Sequence, residues 1–300
     1  MPYDAKDPRA SLTPGSTVDK TPTNFAGTEY VKFYETPPDE ASPGVKTWYA
    51  RGQNLIIAYT EASVDAIFSR NGQPDEYVLL LPDRTMSVDI TTGEGVKRVA
   101  GYSISIIPPG ESNVRVLTKG RLFRLFTILS EDLAKKCSNA KSYATPHPNV
   151  APFEPWPAPP SGYRLRSYSL EVPPQEGRFG RIWRCSTIMV NYLDIQNGPR
   201  DTAKMSPHAH DDFEQISLAV EGVFVHHIRW PWIPDMQKWR ADEHEECATV
   251  SVTVIPAVAI HTTGAVGKRA NQLVDLFCPP RLDFSQKQGW VLNSDEYPMP

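Results

Sequence analysis

The sequence lacks any long apolar run. No stretch approaches the ~18 consecutive apolar residues needed to span a bilayer. The first 25 residues have neither the basic start nor the apolar middle of a secretory signal. A basic stripe is also missing, and the 300 residues carry a formal net charge of −4. We therefore expect a cytoplasmic protein that acts on a small molecule, with neither nucleic acid nor a membrane as a partner.

Cysteine is scarce, and its four occurrences are far apart in the chain: Cys137, Cys185, Cys247 and Cys278. No CxxC pair is present, so the sequence predicts neither a disulfide framework nor a thiolate metal site. We expect buried, free thiols in a reducing compartment. A catalytic thiol is the alternative interpretation, although no neighbouring residue marks one.

Proline, by contrast, is abundant, and its distribution divides the chain. The 29 prolines crowd the first 45 residues and the segment 145–163. Such segments cannot form a helix or a central strand, because proline lacks the backbone donor and has a fixed φ. The predicted units are an extended arm at 1–45, a first domain at 46–144, a linker at 145–175 and a second domain at 176–300. The arm is expected either to fray or to lie across another subunit.

Short alternating apolar runs fill both domains, for example "NLIIAYT" and "YSISIIPP" in the first and "FEQISLAVEG" and "ATVSVTVIP" in the second. Glycine, proline and asparagine separate them, which is typical of sandwich or barrel strands. One helix is predicted at 130–142, in "SEDLAKKCSNAKS". The fold class is therefore all-β, and the similarity of the two halves suggests an internal duplication.

The segment "SPHAHDDFEQ", residues 206–215, concentrates groups that bind metals. On a strand, His208 and His210 point to the same side. A turn at 211–212 would bring Glu214 back toward them at the start of the next strand. We expect that strand to turn Glu214 and the apolar residues at 216, 218 and 220 into the barrel, where a buried carboxylate needs a cation or strong donors.

A third histidine, His261, follows in "VIPAVAIHTTGA". Together, "PHAHDDFEQISLAVEG" and "PAVAIH" resemble the two motifs of the cupin superfamily, His-x-His, three or four residues, Glu and then Gly, followed by Pro-x-Gly-x-x-His. The resemblance implies two-sheet jelly-roll barrels and one divalent metal ion per chain. Its implied ligands are His208, His210, Glu214 and His261. Fe(II) is favoured, with nickel, zinc or manganese as alternatives.

Two positions depart from these motifs. Gly222 comes one residue later than the usual spacing from Glu214, and Val258 occupies the glycine position of the second motif. The missing glycine affects the backbone geometry of the turn more than the identity of the metal ligands.

The first half of the chain has the same motif pattern but lacks its histidines. "FSRNGQPDEYVLLL" has Arg70 and Gly72 at the histidine positions but keeps Glu76. "IPPGESN" keeps Pro108 and Gly110 and has Asn113 at the last histidine position. The chain therefore resembles a bicupin, two cupin barrels in one chain, with a degenerate first metal site. We expect Arg70 to replace the ion and pair with Glu76, and the alternative is an exposed loop around Arg70.

Four further residues are candidates for the site. If Glu221–Gly222 form a tight hairpin turn, His227 and Arg229 point inward, His227 as a catalytic proton shuttle and Arg229 as a substrate contact. A surface histidine is the alternative, because a change of one residue in the loop reverses the face. Gln272 is a second predicted substrate contact, although strand parity does not separate it from Asp275. Trp232 belongs to a loop that forms a lid or a wall for an aromatic substrate, and the alternative is packing in the core or at a dimer interface.

The favoured function is that of a metal-dependent bicupin, an Fe(II)-type dioxygenase acting on a small aromatic or dicarbonyl compound. One alternative is a non-redox isomerase or lyase that uses Zn²⁺ or Mn²⁺ as a Lewis acid. Another is a non-enzymatic small-molecule-binding bicupin with a structural metal. The resemblance also implies a homodimer.

Overall fold

The computed structural model describes residues 25–300, in which most regular structure is β-strand. The first half contains β1 (Glu29–Lys32), β2 (Glu40–Ser42), β3 (Val45–Arg51), β4 (Leu55–Ala62), β5 (Ile67–Gln73), β6 (Tyr77–Leu81), β7 (Ser87–Thr92), β8 (Gly95–Ala100), β9 (Ser103–Ile107), β10 (Gly110–Thr118) and β11 (Gly120–Thr127). The second half contains β12 (Arg166–Ser169), β13 (Arg181–Arg184), β14 (Met189–Tyr192), β15 (Gln196–Asn197), β16 (Gln215–Glu221), β17 (Val223–Arg229), β18 (Glu243–Ala248), β19 (Ser251–Ile255), β20 (Ile260–Ala265) and β21 (Ala270–Phe277).

Helices are few and short in this range. The two α-helices are α1 (Glu131–Ala134) and α2 (Leu282–Ser285). Short 3₁₀ turns occupy Phe33–Glu35, Ala140–Tyr143, Thr202–Lys204 and Met236–Lys238. The helix predicted at 130–142 is therefore only a single turn followed by a separate 3₁₀ turn. No helix in the described residues is long and apolar enough to cross a membrane.

The strands form two barrels, each made of a large and a small sheet. In the first barrel, a seven-stranded sheet (order β12-β9-β6-β11-β4-β3-β2) faces a four-stranded sheet (β5-β10-β7-β8). In the second, a seven-stranded sheet (β1-β19-β16-β21-β14-β13, with β15 paired to β21) faces a three-stranded sheet (β18-β17-β20). This arrangement is a pair of jelly rolls, as the sequence predicts.

The largest hydrophobic core lies between the barrels, not inside either one. It joins alternate residues of the two seven-stranded sheets, such as Val78 and Leu80 of β6 with Ile216 and Leu218 of β16. The other residues of β6, such as Tyr77, face the interior of the first barrel. Both faces of these strands are covered, so they read as the unbroken apolar run "YVLLL" and not as an alternation.

The arm and the linker each add a strand to the opposite barrel. Residues 29–32 pair with β19 of the second barrel, and residues 166–169 pair with β9 of the first. Residues 29–32 of the arm thus lie on this chain's own second barrel, whereas residues 40–42 pair with β3 of the first barrel. The C-terminal tail also packs there, with Trp290 and Val291 in a cluster that includes Phe277.

Candidate metal centre

Three histidines converge where β16 and β20 begin. His208 forms a backbone bridge with His261 through hydrogen bonds of 3.0 and 2.7 Å. The ring centroid of His210 lies 4.9 Å from that of His208 and 5.1 Å from that of His261. One ring nitrogen of each residue lies within 4.8 Å of the other two, and all three side chains are buried. The structure therefore brings together the three histidines predicted as ligands.

The backbone fixes the orientation of two of these rings. Nδ1 of His208 lies 2.9 Å from the carbonyl oxygen of Ser206, and Nδ1 of His261 lies 3.0 Å from that of Ala259. A carbonyl oxygen only accepts, so Nδ1 carries a proton in both rings, and in the neutral imidazole the lone pair is then on Nε2. Such a hydrogen bond from Nδ1 orients an imidazole that binds a metal through Nε2, and it makes Nε2 more basic.

The third ring has a different environment. Nε2 of His210 lies 3.0 Å from Oε1 of Gln215, and the ring stacks on Phe213 at 4.4 Å between centroids. Burial, and then the positive charge of Arg281, hold the pKa of His210 well below its usual range. The imidazole is therefore neutral, which is the form that binds metals. Three buried imidazoles at this spacing fit a divalent first-row metal ion.

An unusual turn supports this arrangement. The N–H of Val258 donates to the carbonyl oxygen of His210 at 2.5 Å, which ties the second motif to the first. The φ of Val258 is +66°, a left-handed conformation that is rare for a β-branched residue. The equivalent position of the first barrel is Gly110, whose φ is +98°. The turn therefore keeps the backbone conformation of the motif although its glycine is missing.

Glu214 does not join the histidines. Its Oε2 accepts a hydrogen bond of 2.6 Å from the backbone N–H of Gln53 in the first barrel, and its Oε1 lies 3.4 Å from Nδ1 of His147. That contact raises the pKa of His147. A Cβ at Gly52 would lie only 2.7 Å from Oε2, so a side chain there would displace the carboxylate. The four-ligand geometry predicted from the sequence is thus wrong for its carboxylate.

The cause of this error is strand parity. The face of β16 shared by residues 214, 216, 218 and 220 packs against the first barrel, while Gln215 and Ser217 face the interior of the second. The cupin motif has three or four residues between its second histidine and its glutamate. With four residues after His210, the position of the glutamate falls on Gln215. The late position of Gly222 relative to Glu214 was the signal in the sequence that could have found this residue.

The first barrel contains the counterpart of Glu214. Oε2 of Glu76 accepts hydrogen bonds from the N–H and the hydroxyl of Ser186 in the second barrel, at 3.1 and 2.8 Å, and Oε1 accepts one of 2.7 Å from Tyr297. Each glutamate comes directly before a central strand and binds a turn of the opposite barrel. Arg70 instead forms a bidentate pair with Asp132 and does not reach Glu76, so the predicted pairing is wrong.

The face predicted for β17 is also reversed. His226 is 1% exposed and faces the interior, whereas His227 is half-buried on the outer surface, with its Nδ1 2.8 Å from that of His244. Arg229 is exposed on the same outer surface and forms an ion pair with Asp242 at 2.7 Å. The predicted hairpin does not form, because β16 and β17 lie in different sheets and β17 pairs with β18 and β20. The alternation along β17 places its even-numbered residues inside.

The other two predicted substrate contacts lie away from the triad. Gln272 is buried on the face of β21 that lies toward the core between the barrels, and it donates to the carbonyl oxygen of Leu193 at 2.7 Å. Asp275 is on the opposite face, inside the barrel, where it accepts hydrogen bonds from Ser217 and the amide of Gln215. Trp232 is 77% exposed and stacks on Trp239 at 4.7 Å, so it does not line the barrel.

Two jelly rolls in one chain, with a histidine triad in the second, define a bicupin, and the chain has this fold. No protein-family model matches the sequence, and no curated protein sequence matches it.

Solved structures match over most of the chain. The Lactobacillus farciminis oxalate decarboxylase in its formate complex is 14% identical with a TM-score of 0.56, covering 87% of this chain and 88% of that one. AerE from Microcystis aeruginosa is 11% identical with a TM-score of 0.52, covering 85% and 99%. The S161A mutant of Bacillus subtilis oxalate decarboxylase is 13% identical with a TM-score of 0.55, covering 87% and 79%. What these proteins share with the chain is the fold.

Proposed function

We propose that the chain is a metal-dependent bicupin enzyme whose centre is a divalent ion held by His208, His210 and His261. The convergence of three imidazoles in a buried position supports this proposal. Fe(II) bound in this way supplies open positions for O₂ and for a chelating substrate. We infer that the protein is a dioxygenase acting on a small aromatic or dicarbonyl compound.

The neutrality of the donor set supports the choice of substrate. Among residues 25–300, no carboxylate joins the group of histidine nitrogens that lie within 4.8 Å of one another. The ring of His210 hydrogen-bonds to the uncharged amide of Gln215, at 3.0 Å. A divalent ion in this set keeps its full charge, and a buried charge needs a partner of opposite sign. A substrate that binds as an anion, such as a phenolate or the enolate of a dicarbonyl compound, would supply that charge.

The same reasoning also admits a small carboxylate as the substrate. Two of the solved structures that share the fold are oxalate decarboxylases. A non-redox lyase with Mn²⁺ or Zn²⁺ is therefore the second candidate function. The two functions differ in whether oxygen is consumed.

Anaerobic loading with Fe(II), followed by O₂-electrode measurements on phenolic acids and β-diketones, tests the proposal. We expect uptake that requires both the metal and one of these substrates, and that is lost in His208→Ala. His244→Ala, which changes an exposed histidine on the outer surface, is the matched control and should keep the activity. No uptake with any metal or substrate would contradict a dioxygenase. Release of CO₂ from oxalate without oxygen consumption, by the Mn²⁺-loaded protein, would instead support the lyase.

A further inference from the structure

A fourth histidine lies on the inner surface of the second barrel, next to the triad. His226 of β17 is opposite Thr263 of β20, and Ile228, two residues on, is opposite His261. Residues two apart on paired strands share a face, so His226 and His261 are diagonal neighbours, at a typical separation of ~7–8 Å. Both imidazoles therefore face the same interior.

Only one nitrogen of His226 has a partner. Nδ1 lies 2.9 Å from the hydroxyl oxygen of Thr263. Nε2 is buried and has no hydrogen-bond partner within the described residues 25–300. The great majority of buried polar atoms are hydrogen-bonded, so this nitrogen calls for an explanation. The threonine hydroxyl can donate or accept, so Nε2 can offer either a proton or a lone pair.

The polar residues on the opposite wall of the barrel do not satisfy Nε2. Ser217 donates to Asp275 at 2.8 Å, and the amide of Gln215 donates to the same carboxylate at 3.2 Å. The side-chain oxygen of Gln215 in turn contacts the ring of His210. Nε2 of His226 thus remains available to a group that residues 25–300 do not provide.

We propose that Nε2 of His226 forms a hydrogen-bonding subsite for a small polar ligand bound to the metal of the triad. The proposal rests on the metal centre proposed above and adds the residue that orients the ligand within the barrel. His226 is outside the group of three histidines whose ligand atoms approach within 4.8 Å. It therefore contacts the ligand and not the ion.

Two substitutions of His226 test the roles of its two ring nitrogens separately. The amide of asparagine can replace Nδ1 at Thr263 but does not reach the position of Nε2. The amide of glutamine is longer and can reach that position. Each protein is loaded with Co²⁺, whose d–d absorption reports the metal site, and is then titrated with azide as a small anionic ligand. The matched control is His244→Gln on the outer surface.

We expect His226→Asn to bind one Co²⁺ with an unchanged spectrum but to bind azide about tenfold more weakly, the effect of one buried hydrogen bond. His226→Gln should recover part of this loss, and His244→Gln should match the wild type. Azide binding that is unchanged in His226→Asn would overturn the subsite alone. Loss of Co²⁺ from His226→Asn would overturn it as well, because His226 would then be a ligand. Failure of the wild type to bind Co²⁺ would instead contradict the metal centre on which the subsite rests.

Discussion

The two barrels have the same fold but different interiors. In the first, Tyr77 stacks on Phe126 at 4.8 Å inside a large apolar cluster, with Arg124 as a buried charge near it. In the second, the residue at the same position of the equivalent strand is Gln215, which contacts His210 and Asp275. An apolar interior can be close-packed without any ligand, whereas a polar one needs partners for each group. The comparison indicates that the interior of the first barrel is mainly structural, whereas that of the second holds the candidate metal centre.

The largest expected difference between the barrels is in metal binding. A structural zinc site with four ligands is worth ~10–16 kcal/mol, so one ligand contributes ~3–4 kcal/mol, or a factor of about a hundred to a thousand in affinity. His261→Ala should weaken binding of Zn²⁺ or Mn²⁺ by this factor, as measured by equilibrium dialysis with elemental analysis.

The matched control is Asn113→Ala, at the equivalent position of the first barrel, where Oδ1 of Asn113 accepts a hydrogen bond of 2.6 Å from Ser69. This variant should bind one ion per chain with wild-type affinity. Two ions per chain in the wild type would break the comparison, because the first barrel would then hold a metal as well.

The two glutamates between the barrels provide the next test. Glu76→Ala leaves three buried donors, from Ser186 and Tyr297, without their acceptor, and we expect it to lower the free energy of unfolding by about 3 kcal/mol. Glu214→Ala removes one backbone hydrogen bond and one partly exposed contact with His147, so its cost should be about 1 kcal/mol. Urea denaturation measures both values.

Both variants should bind metal as the wild type does, because neither carboxylate reaches the triad. A large loss of metal affinity in Glu214→Ala, with little loss of stability, would restore Glu214 as a ligand. The opposite result would confirm that the two glutamates have the same structural role in the two halves.

The sequence predicted site residues correctly wherever the prediction depended on the spacing of residues along one strand. The His-x-His pair and the final histidine were found in this way, because residues two apart on a strand share a face whatever the strand packs against. Which face of β16 is interior was a different question. Ile216 and Leu218 are apolar because they pack on another barrel, and an apolar face is equally typical of a barrel interior.

The error at β17 has the same physical origin. His226 and His227 are adjacent, so the sequence establishes that their side chains point to opposite sides but not which one is inside. That choice depends on the register with β20, which pairs Ile228 with His261. Similarly, the partner of Arg70 is Asp132, in a helix 62 residues away, and no local pattern predicts such a contact.

The smallest expected effect concerns the turn that holds His210. A non-glycine residue in the left-handed region costs ~1–2 kcal/mol, whereas glycine costs ~0.5–1 kcal/mol in conformational entropy. Val258→Gly should therefore change the free energy of unfolding by less than about 1 kcal/mol and keep the metal site intact. The same substitution at Val252, which is fully buried in the core between the barrels, should cost at least about 3 kcal/mol. A comparable loss of stability in the two variants would contradict this expectation. The side chain of Val258 would then contribute packing, whereas its counterpart in the first barrel, Gly110, has no side chain.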